Sequence, residues 1–209
     1  MHPFGDVVAS ETELRAVIPA PRDGSPPLRK QIDHLDGHCS DFIARSPLCM
    51  LATADDQGRC DVSPRGGPPG FVRVLDPRRL LVPDFPGNRR LDSQTNLLAN
   101  PRASLLFLVP GLGETLRVEG AACVTRDGEL LAELAVAGRA PALGIGIEVE
   151  AAFIHCAKAL IRSGAWKPDT WADELPSASK ILRDHMALPD LTGAEVAERL
   201  ADSYEKTLY

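Results

Sequence analysis

Short apolar segments with an alternating pattern, separated by turn residues, constrain the fold of this chain more than any other feature. Residues 115–124 place Leu116 and Val118 on one face and Arg117 and Glu119 on the other, and residues 144–153 alternate in the same way. A period of two is typical of strands with one buried face. Further short strands are predicted at 48–54, 59–63, 71–74, 80–82 and 103–109. Hairpin turns and few intervening helices favour a small antiparallel β-barrel of about six strands over a parallel sheet.

Helical spacing and capping residues predict α additions at both ends of this β-rich block. Helices are expected at 10–17, 28–45, 88–99, 129–137, 179–186 and 192–204. Thr192 and Glu195 have the spacing of a capping box, as do Ser10 and Glu13. The predicted fold class is therefore mainly β with α additions (α+β). The 209 residues fit one domain, divided into an extension (1–27), a barrel core (28–165) and a helical tail (166–209).

Charge and composition exclude several kinds of partner. The net charge of -6 and the pI near 5.4 argue against nucleic acid, whose phosphates require a basic face. The sequence has no apolar run of 18 residues and no secretory signal pattern, which predicts a cytoplasmic protein without a membrane partner. The five cysteines lack CxxC spacing and mostly lie in apolar runs, so we expect buried free thiols.

The most specific chemical feature is a pair of arginine clusters in residues 61–101. The first is the turn that contains Ser63 and Arg65; the second is Asn88, Arg89 and Arg90, placed after a Pro-Gly turn at the start of a predicted helix. Guanidinium groups bind phosphate through paired, charge-assisted hydrogen bonds. A helix start adds free main-chain N–H groups and a favourable dipole. The two clusters together therefore predict a phosphate site.

Other chemical motifs are weak or missing. His34 and His38 are four residues apart, but no third or fourth metal ligand lies nearby, so we expect no metal site. The sequence contains neither GxGxxG nor GxxxxGK[ST], and Ser63 is not in a GxSxG context. No catalytic side chain can be named.

In this order, the motifs resemble the pyridoxamine 5'-phosphate oxidase-like superfamily of FMN-binding split barrels. The likeness covers roughly residues 28–170 and depends on the blocks LATA (51–54), DVSPRG (61–66), PGFV (69–72), PD (83–84), GNRRLD (87–92), NLLANP (96–101), LLFLVPG (105–111), ETLRV (114–118) and FIHCAKA (153–159). The resemblance implies a six-stranded antiparallel split β-barrel. It also implies FMN bound at a homodimer interface, with residues from both subunits.

Site residues follow from the resemblance position by position. The strand with Val62, Ser63, Pro64 and Arg65 is expected along the flavin ring and ribityl chain, with Arg65 meeting the phosphate or the substrate. Phosphate binding falls to Asn88, Arg89 and Arg90, and the ribityl neighbours are Pro83 and Asp84. The position of the ring-contacting glutamine of the oxidases lies near Thr115. The residues that hold pyridoxal phosphate have no clear counterpart, so pyridoxamine phosphate is not the expected substrate.

Three residues after the barrel are further candidates. Lys158 and Arg162 are four apart and share one possible helical face, and Trp166 follows them. Trp166 is either a core or interface anchor or a cover over the flavin.

The functional hypothesis from sequence is an FMN-dependent oxidoreductase that acts on an unidentified small organic molecule. Three alternatives stay open: the same barrel with a deazaflavin or haem, a non-enzymatic flavin carrier or sensor, and a scaffold whose cleft binds a partner protein. The colour of the protein and its turnover with NAD(P)H would separate them.

Overall fold

The computed structural model describes residues 3–209. The strands are β1 (Leu48–Ala54), β2 (Cys60–Gly66), β3 (Arg73–Asp76), β4 (Arg79–Asp84), β5 (Arg102–Leu108), β6 (Thr115–Thr125) and β7 (Leu143–His155). The helices are α1 (Glu11–Val17), α2 (Pro26–Arg29), α3 (Gly37–Arg45), α4 (Asp92–Ala99), α5 (Gly128–Ala132), α6 (Lys158–Ser163), α7 (Ala178–His185) and α8 (Gly193–Lys206), with a 3-10 turn at Pro168–Thr170.

All seven strands form one antiparallel sheet in the order β2-β1-β5-β6-β7-β4-β3. The prediction of a mainly antiparallel α+β fold is confirmed. The expected number of six strands is one too few, and the sheet is open rather than a closed barrel. β3 is the shortest strand, with four residues and a register irregularity against β4, and it overlaps the segment predicted as a strand at 71–74 by two residues.

Strong curvature brings the two ends of the sheet close together. β2 is the first strand in the order and β4 is the sixth, yet Nη1 of Arg65 on β2 lies 2.7 Å from Oδ1 of Asp84 on β4. This ion pair spans the split between the sheet ends. The curvature creates an enclosed inner face and, at the split, a cleft.

The inner face holds the hydrophobic core. Leu51, Leu105, Phe107 and Val118 are fully buried, and the alternation predicted for residues 144–153 is confirmed because Ile147 faces inward with its alternate neighbours. Apolar burial of this kind is the main source of stability for a domain of this size.

The helix predicted over 28–45 is two helices in the structure. α2 ends at Arg29, Ile32 then pairs with Ala152 of β7, and α3 begins only after Asp36. The Asp36 side chain caps α3 by accepting a hydrogen bond from the Cys39 N–H at 2.8 Å. The main-chain bonding of Ile32 to the sheet overrides the apolar spacing that predicted a continuous helix.

The other helix predictions differ mainly at their boundaries. The segment predicted as helical over 129–137 ends at Ala132, and Ala137 has a φ of 50°. In the tail, α7 and α8 pack against each other, and the predicted capping box of Thr192 and Glu195 is confirmed.

The prediction of buried cysteines is wrong for three of the five thiols. Cys39 and Cys49 are buried, whereas Cys60, Cys123 and Cys156 are exposed, and all five are free. The exposed thiols occupy a sheet-edge strand, an outward-facing strand position and a strand-to-helix junction, which short apolar runs do not reveal. Among residues 3–209, no helix is both long and apolar enough to cross a membrane.

Candidate functional site

A cleft of about 620 Å³ lies at the split of the sheet, and we call it the anion cleft. It is lined by three stretches of chain and one tail residue: β2 residues 61–63 with Arg65, the segment 84–94 between β4 and α4, the loop 139–142 before β7, and Tyr209. Its volume is in the usual range for small-molecule sites. The two arginine clusters predicted to share a site therefore line the same cleft.

The alternation of β2 divides its side chains between two faces. Asp61, Ser63 and Arg65 share the partly buried face, while Val62 and Pro64 are exposed on the other. The Ser63 hydroxyl lies 3.2 Å from that of Ser93 in α4, and the Ser93 hydroxyl also lies 3.4 Å from the nearer oxygen of Asp61. This small polar network connects β2 to the start of α4.

Arg65 has an unsatisfied donor. Its side chain and that of Asp84 are 17% and 14% exposed, and one terminal nitrogen forms the ion pair that spans the split. Its Nε is buried and has no hydrogen-bond partner. A buried donor without an acceptor is costly, and a ligand bound in this cleft would supply the acceptor.

The segment before α4 leaves the start of that helix without a side-chain cap. The helix predicted to begin at Asn88 begins at Asp92, because Arg89 and Leu91 have left-handed φ values of 61° and 57°. Asn88 instead accepts a hydrogen bond from the Arg90 N–H at 3.0 Å. Leu91, at the cap position of α4, provides no side-chain acceptor for the first turn. Left-handed residues ahead of an uncapped helix expose successive N–H groups, an arrangement that binds anions.

The charge of the anion cleft is mixed, with an excess of arginine. Four arginines and three aspartates line it: Arg65, Arg89, Arg90, Arg139, Asp61, Asp84 and Asp92. The bond from Arg90 Nε to Asp92, at 2.8 Å, raises the pKa of Arg90. Within residues 3–209, Arg89 forms no ion pair. The cleft lining thus has an excess of one positive charge in a chain of net charge -6.

The structure brings most of the predicted site residues together. Those that line the anion cleft are Val62, Ser63, Arg65, Asp84, Asn88, Arg89 and Arg90. Pro64 and Pro83 line an adjoining cleft of about 640 Å³, which shares several walls with the first. The remaining four, Thr115, Lys158, Arg162 and Trp166, line neither cleft.

Those four residues lie around the start of β6 and the end of β7. Thr115 is buried and pairs across the sheet with His155. Lys158 begins α6, and a hydrogen bond from its main-chain N–H lowers the pKa of the Cys156 thiol. The Trp166 Nε1 donates to the Leu112 carbonyl at 2.8 Å, which fixes the indole against the β5–β6 loop. In one copy of the chain, this group is separate from the anion cleft.

The cleft residues that sequence reasoning missed include Asp61, Ser93, Gln94, Arg139 and Tyr209. Asp61 alternates with Ser63 and Arg65 along β2, so strand periodicity could have found it. Ser93 and Gln94 are buried in the first turn of α4, but the wrong helix start concealed them. Arg139 and Tyr209 arrive from distant parts of the chain, and no local pattern marks them.

The fold and the cleft define a class: an open antiparallel β-sheet protein with an arginine-lined anion cleft at the split of its sheet. A family model described as Pyridoxamine 5'-phosphate oxidase matches residues 35–156, more than half of the chain. The chain belongs to this family, which confirms the resemblance seen in its sequence. A search of curated proteins gave no match.

Solved structures with similar folds share little sequence with this chain. HupZ of Group A Streptococcus is 19% identical, with 57% of this chain and 92% of HupZ covered at a TM-score of 0.46. General Stress Protein 26 of Bacillus anthracis is 16% identical (56% and 93% covered, TM-score 0.42). An FMN-binding protein of Syntrophomonas wolfei is 10% identical (54% and 80% covered, TM-score 0.43). The family assignment depends on the family model and not on these similarities.

Proposed function

We propose that this protein binds FMN through the anion cleft and acts as an oxidoreductase on a small organic molecule. The observation that carries the proposal is the buried, unpartnered Nε of Arg65 in the same cleft as Arg89 and Arg90. Family membership supports it, since the resemblance implies FMN at these positions.

The residues present fit the phosphate of FMN. Arg89, which has no ion-pair partner within residues 3–209, and Arg90 would bind phosphate oxygens from the turn before α4. The N–H groups at the uncapped start of α4, and those of the turn other than the Arg90 N–H, would bind others. Each hydrogen bond to a charged group contributes about 1.5–3 kcal/mol. Arg65 would remain paired with Asp84 while its Nε donates to the ligand.

The rest of the flavin would lie along β2. This strand is at the end of the sheet, so one of its edges has main-chain groups without a strand partner. N–H groups on that edge between Val62 and Arg65 would hydrogen-bond to the ring and stabilise negative charge on it. Pro83 and Asp84 on β4 would lie beside the ribityl chain. When bound, the flavin supplies hydride and electron transfer, so no side-chain nucleophile is required.

We further propose a homodimer in which each cleft is completed by the partner. Thr115, Lys158, Arg162 and Trp166 lie outside the anion cleft of their own chain, so they would contribute to the cleft of the second copy. Val62 supports this arrangement, because an apolar side chain that is 66% exposed at the cleft edge is suited to burial by another subunit. Dilution to the monomer should then release flavin; a monomer that retains its flavin would contradict the interface placement.

The experiment that tests the proposed function is an absorbance spectrum of the freshly purified protein, followed by addition of FMN. Blue absorption and flavin fluorescence are expected. A Soret band would favour haem, and absorption nearer the violet would favour a deazaflavin. Turnover with NAD(P)H and a panel of quinones or nitro compounds separates an enzyme from a flavin carrier or sensor. A protein that contains no flavin and binds no added FMN would contradict the proposal.

A further inference from the structure

The helical tail returns to the anion cleft at Tyr209. This residue lines both the anion cleft and the adjoining cleft that contains Pro64 and Pro83. Tyr209 is half-buried, whereas the preceding Leu208 is 63% exposed. Tyr209 therefore lies where the two clefts meet, together with Arg65, Phe85 and other residues that line both.

Two contacts hold Tyr209 in this position. Its ring packs edge-to-face on Phe85, with ring centroids 5.2 Å apart and an interplanar angle of 89°. Its main-chain oxygen accepts a hydrogen bond of 2.7 Å from Nη1 of Arg139. Both partners belong to the cleft wall, so the tail residue is anchored by the cleft itself.

The contact with Arg139 uses a guanidinium that a ligand could use. Arg139 lines the anion cleft with the three other arginines, but it comes from the loop before β7 and not from β2 or the start of α4. Guanidinium groups bind phosphate and carboxylate oxygens strongly. A ligand with a second polar or anionic group beyond its phosphate would therefore compete with the oxygen of Tyr209 for Arg139.

We propose, building on the proposed function, that Tyr209 is a displaceable plug of the cleft and that Arg139 is a ligand-binding residue which the plug masks. The plug presents an aromatic ring to Phe85 and an oxygen to Arg139. The displacing ligand accordingly combines a planar aromatic ring, an acidic or carbonyl oxygen and a phosphate, as FMN does. When Tyr209 leaves, the two clefts become one groove long enough for such a ligand.

Affinity measurements on tyrosine variants test the plug. The aromatic pair favours the plugged state by about fivefold, and Tyr209→Ala removes this pair while the main-chain oxygen stays. Tyr209→Ala should therefore bind FMN about fivefold more tightly than the wild type, measured by quenching of flavin fluorescence. Tyr209→Phe, which keeps the ring and the main-chain oxygen, should match the wild type. Tyr204→Ala is the matched control, because Tyr204 is 65% exposed on α8 and lines neither cleft.

The role of Arg139 is tested by combining variants. In the wild-type chain, Arg139→Gln removes a ligand contact and also loosens the plug, so FMN affinity should change little. In the Tyr209→Ala chain, the plug is already weakened by the loss of its ring, so Arg139→Gln acts mainly on the ligand contact and should weaken FMN binding about tenfold. Additive effects of the two substitutions would overturn the assignment of Arg139.

A spectroscopic measurement follows the plug directly. The chain has two tyrosines, Tyr204 and Tyr209, so labelling with 3-fluorotyrosine gives two ¹⁹F NMR signals. Added FMN should shift the Tyr209 signal towards that of an exposed tyrosine and leave the Tyr204 signal unchanged. Pyrophosphate serves as a second probe, a ligand with two anionic groups and no flavin ring, and it should have the same effect at higher concentration.

The outcomes separate this inference from the proposed function. If FMN binds the wild type, and Tyr209→Ala binds it equally or more weakly, the proposal that Tyr209 is a plug is wrong. The proposed flavin site is then unaffected. If no variant binds FMN, the proposed function is wrong. The pyrophosphate titration then decides whether an anionic ligand displaces Tyr209. A Tyr209 signal that neither probe shifts overturns the plug.

Discussion

The inner face of the sheet and the anion cleft at its split are built on opposite principles, although the same strands form both. Phe107 and Leu105 on the inner face are fully buried in continuous antiparallel pairing. The cleft instead contains a buried donor without a partner on Arg65 and left-handed residues at Arg89 and Leu91. In the core, the main-chain donors and acceptors pair with one another across the sheet, whereas the cleft has donors that only a ligand would pair. Substitutions in the two regions should therefore affect different properties.

The largest effect is expected from removing two cleft arginines together. Arg89→Ala with Arg90→Ala deletes several charge-assisted bonds to phosphate, which together contribute about 3–6 kcal/mol, so FMN affinity should fall by more than a hundredfold. The melting temperature of the flavin-free protein should hardly change, because both side chains are exposed. Titration calorimetry and thermal unfolding measure the two quantities.

A matched control for this variant is Arg126→Ala with Arg199→Ala. It changes the net charge equally, and both residues are exposed outside the clefts. Equal loss of affinity in the control would attribute the effect to overall charge, and unchanged affinity in the cleft variant would contradict the phosphate site.

A core substitution should give the reverse result. Phe107→Ala removes a fully buried ring and should lower the free energy of unfolding by about 3–5 kcal/mol, measured by urea denaturation. The FMN affinity of the molecules that remain folded should be close to that of the wild type. Leu98→Ala, at a side chain that is 81% exposed on α4, is the control and should be nearly neutral. If Phe107→Ala lost FMN affinity without a decrease in the free energy of unfolding, the proposed difference between core and cleft would be wrong.

The ion pair between Arg65 and Asp84 spans the split and shares features of the core and of the cleft, because it is largely buried but charged. Asp84→Asn leaves the guanidinium of Arg65 largely buried without its counter-charge and should cost about 1–3 kcal/mol in the free energy of unfolding. Added inorganic phosphate should restore part of this loss. Asp92→Asn breaks the exposed pair with Arg90 and should have little effect. A fully stable Asp84→Asn variant would show that the pair does not hold the sheet ends together.

The smallest effect concerns thiol chemistry and requires no ligand. Burial raises the pKa of Cys49 to about 12, while the Lys158 N–H lowers the pKa of the exposed Cys156 thiol. At pH 8, iodoacetamide should modify Cys156 in the native protein and Cys49 only after unfolding, because the thiolate is the reactive form. Peptide mass spectrometry over time measures both rates. Equal rates in the native protein would contradict the burial of Cys49 in the core.

Sequence reasoning succeeded where the structure depends on local periodicity. The alternation of residues 144–153 and the Thr192–Glu195 capping box describe contacts within a few residues, so both could be predicted. The expected convergence of the two arginine clusters rested on guanidinium chemistry and on the family resemblance, since nothing local places Arg65 near Arg89.

The failures share a physical cause, which is competition from distant contacts. Ile32 leaves its predicted helix because Ala152, 120 positions away, offers main-chain bonds. The start of α4 moves from Asn88 to Asp92 because two non-glycine residues adopt left-handed conformations, which propensity alone disfavours. Arg139 and Tyr209 reach the cleft only through the complete fold.

The central claim, that the anion cleft holds the phosphate of a flavin nucleotide, is tested most directly by comparing FMN with riboflavin, which lacks the phosphate. Calorimetric titration of the flavin-free protein should give FMN an affinity at least a hundredfold higher, and this preference should disappear when Arg89 and Arg90 are replaced by Ala. Equal affinities for FMN and riboflavin in the wild-type protein would contradict the claim.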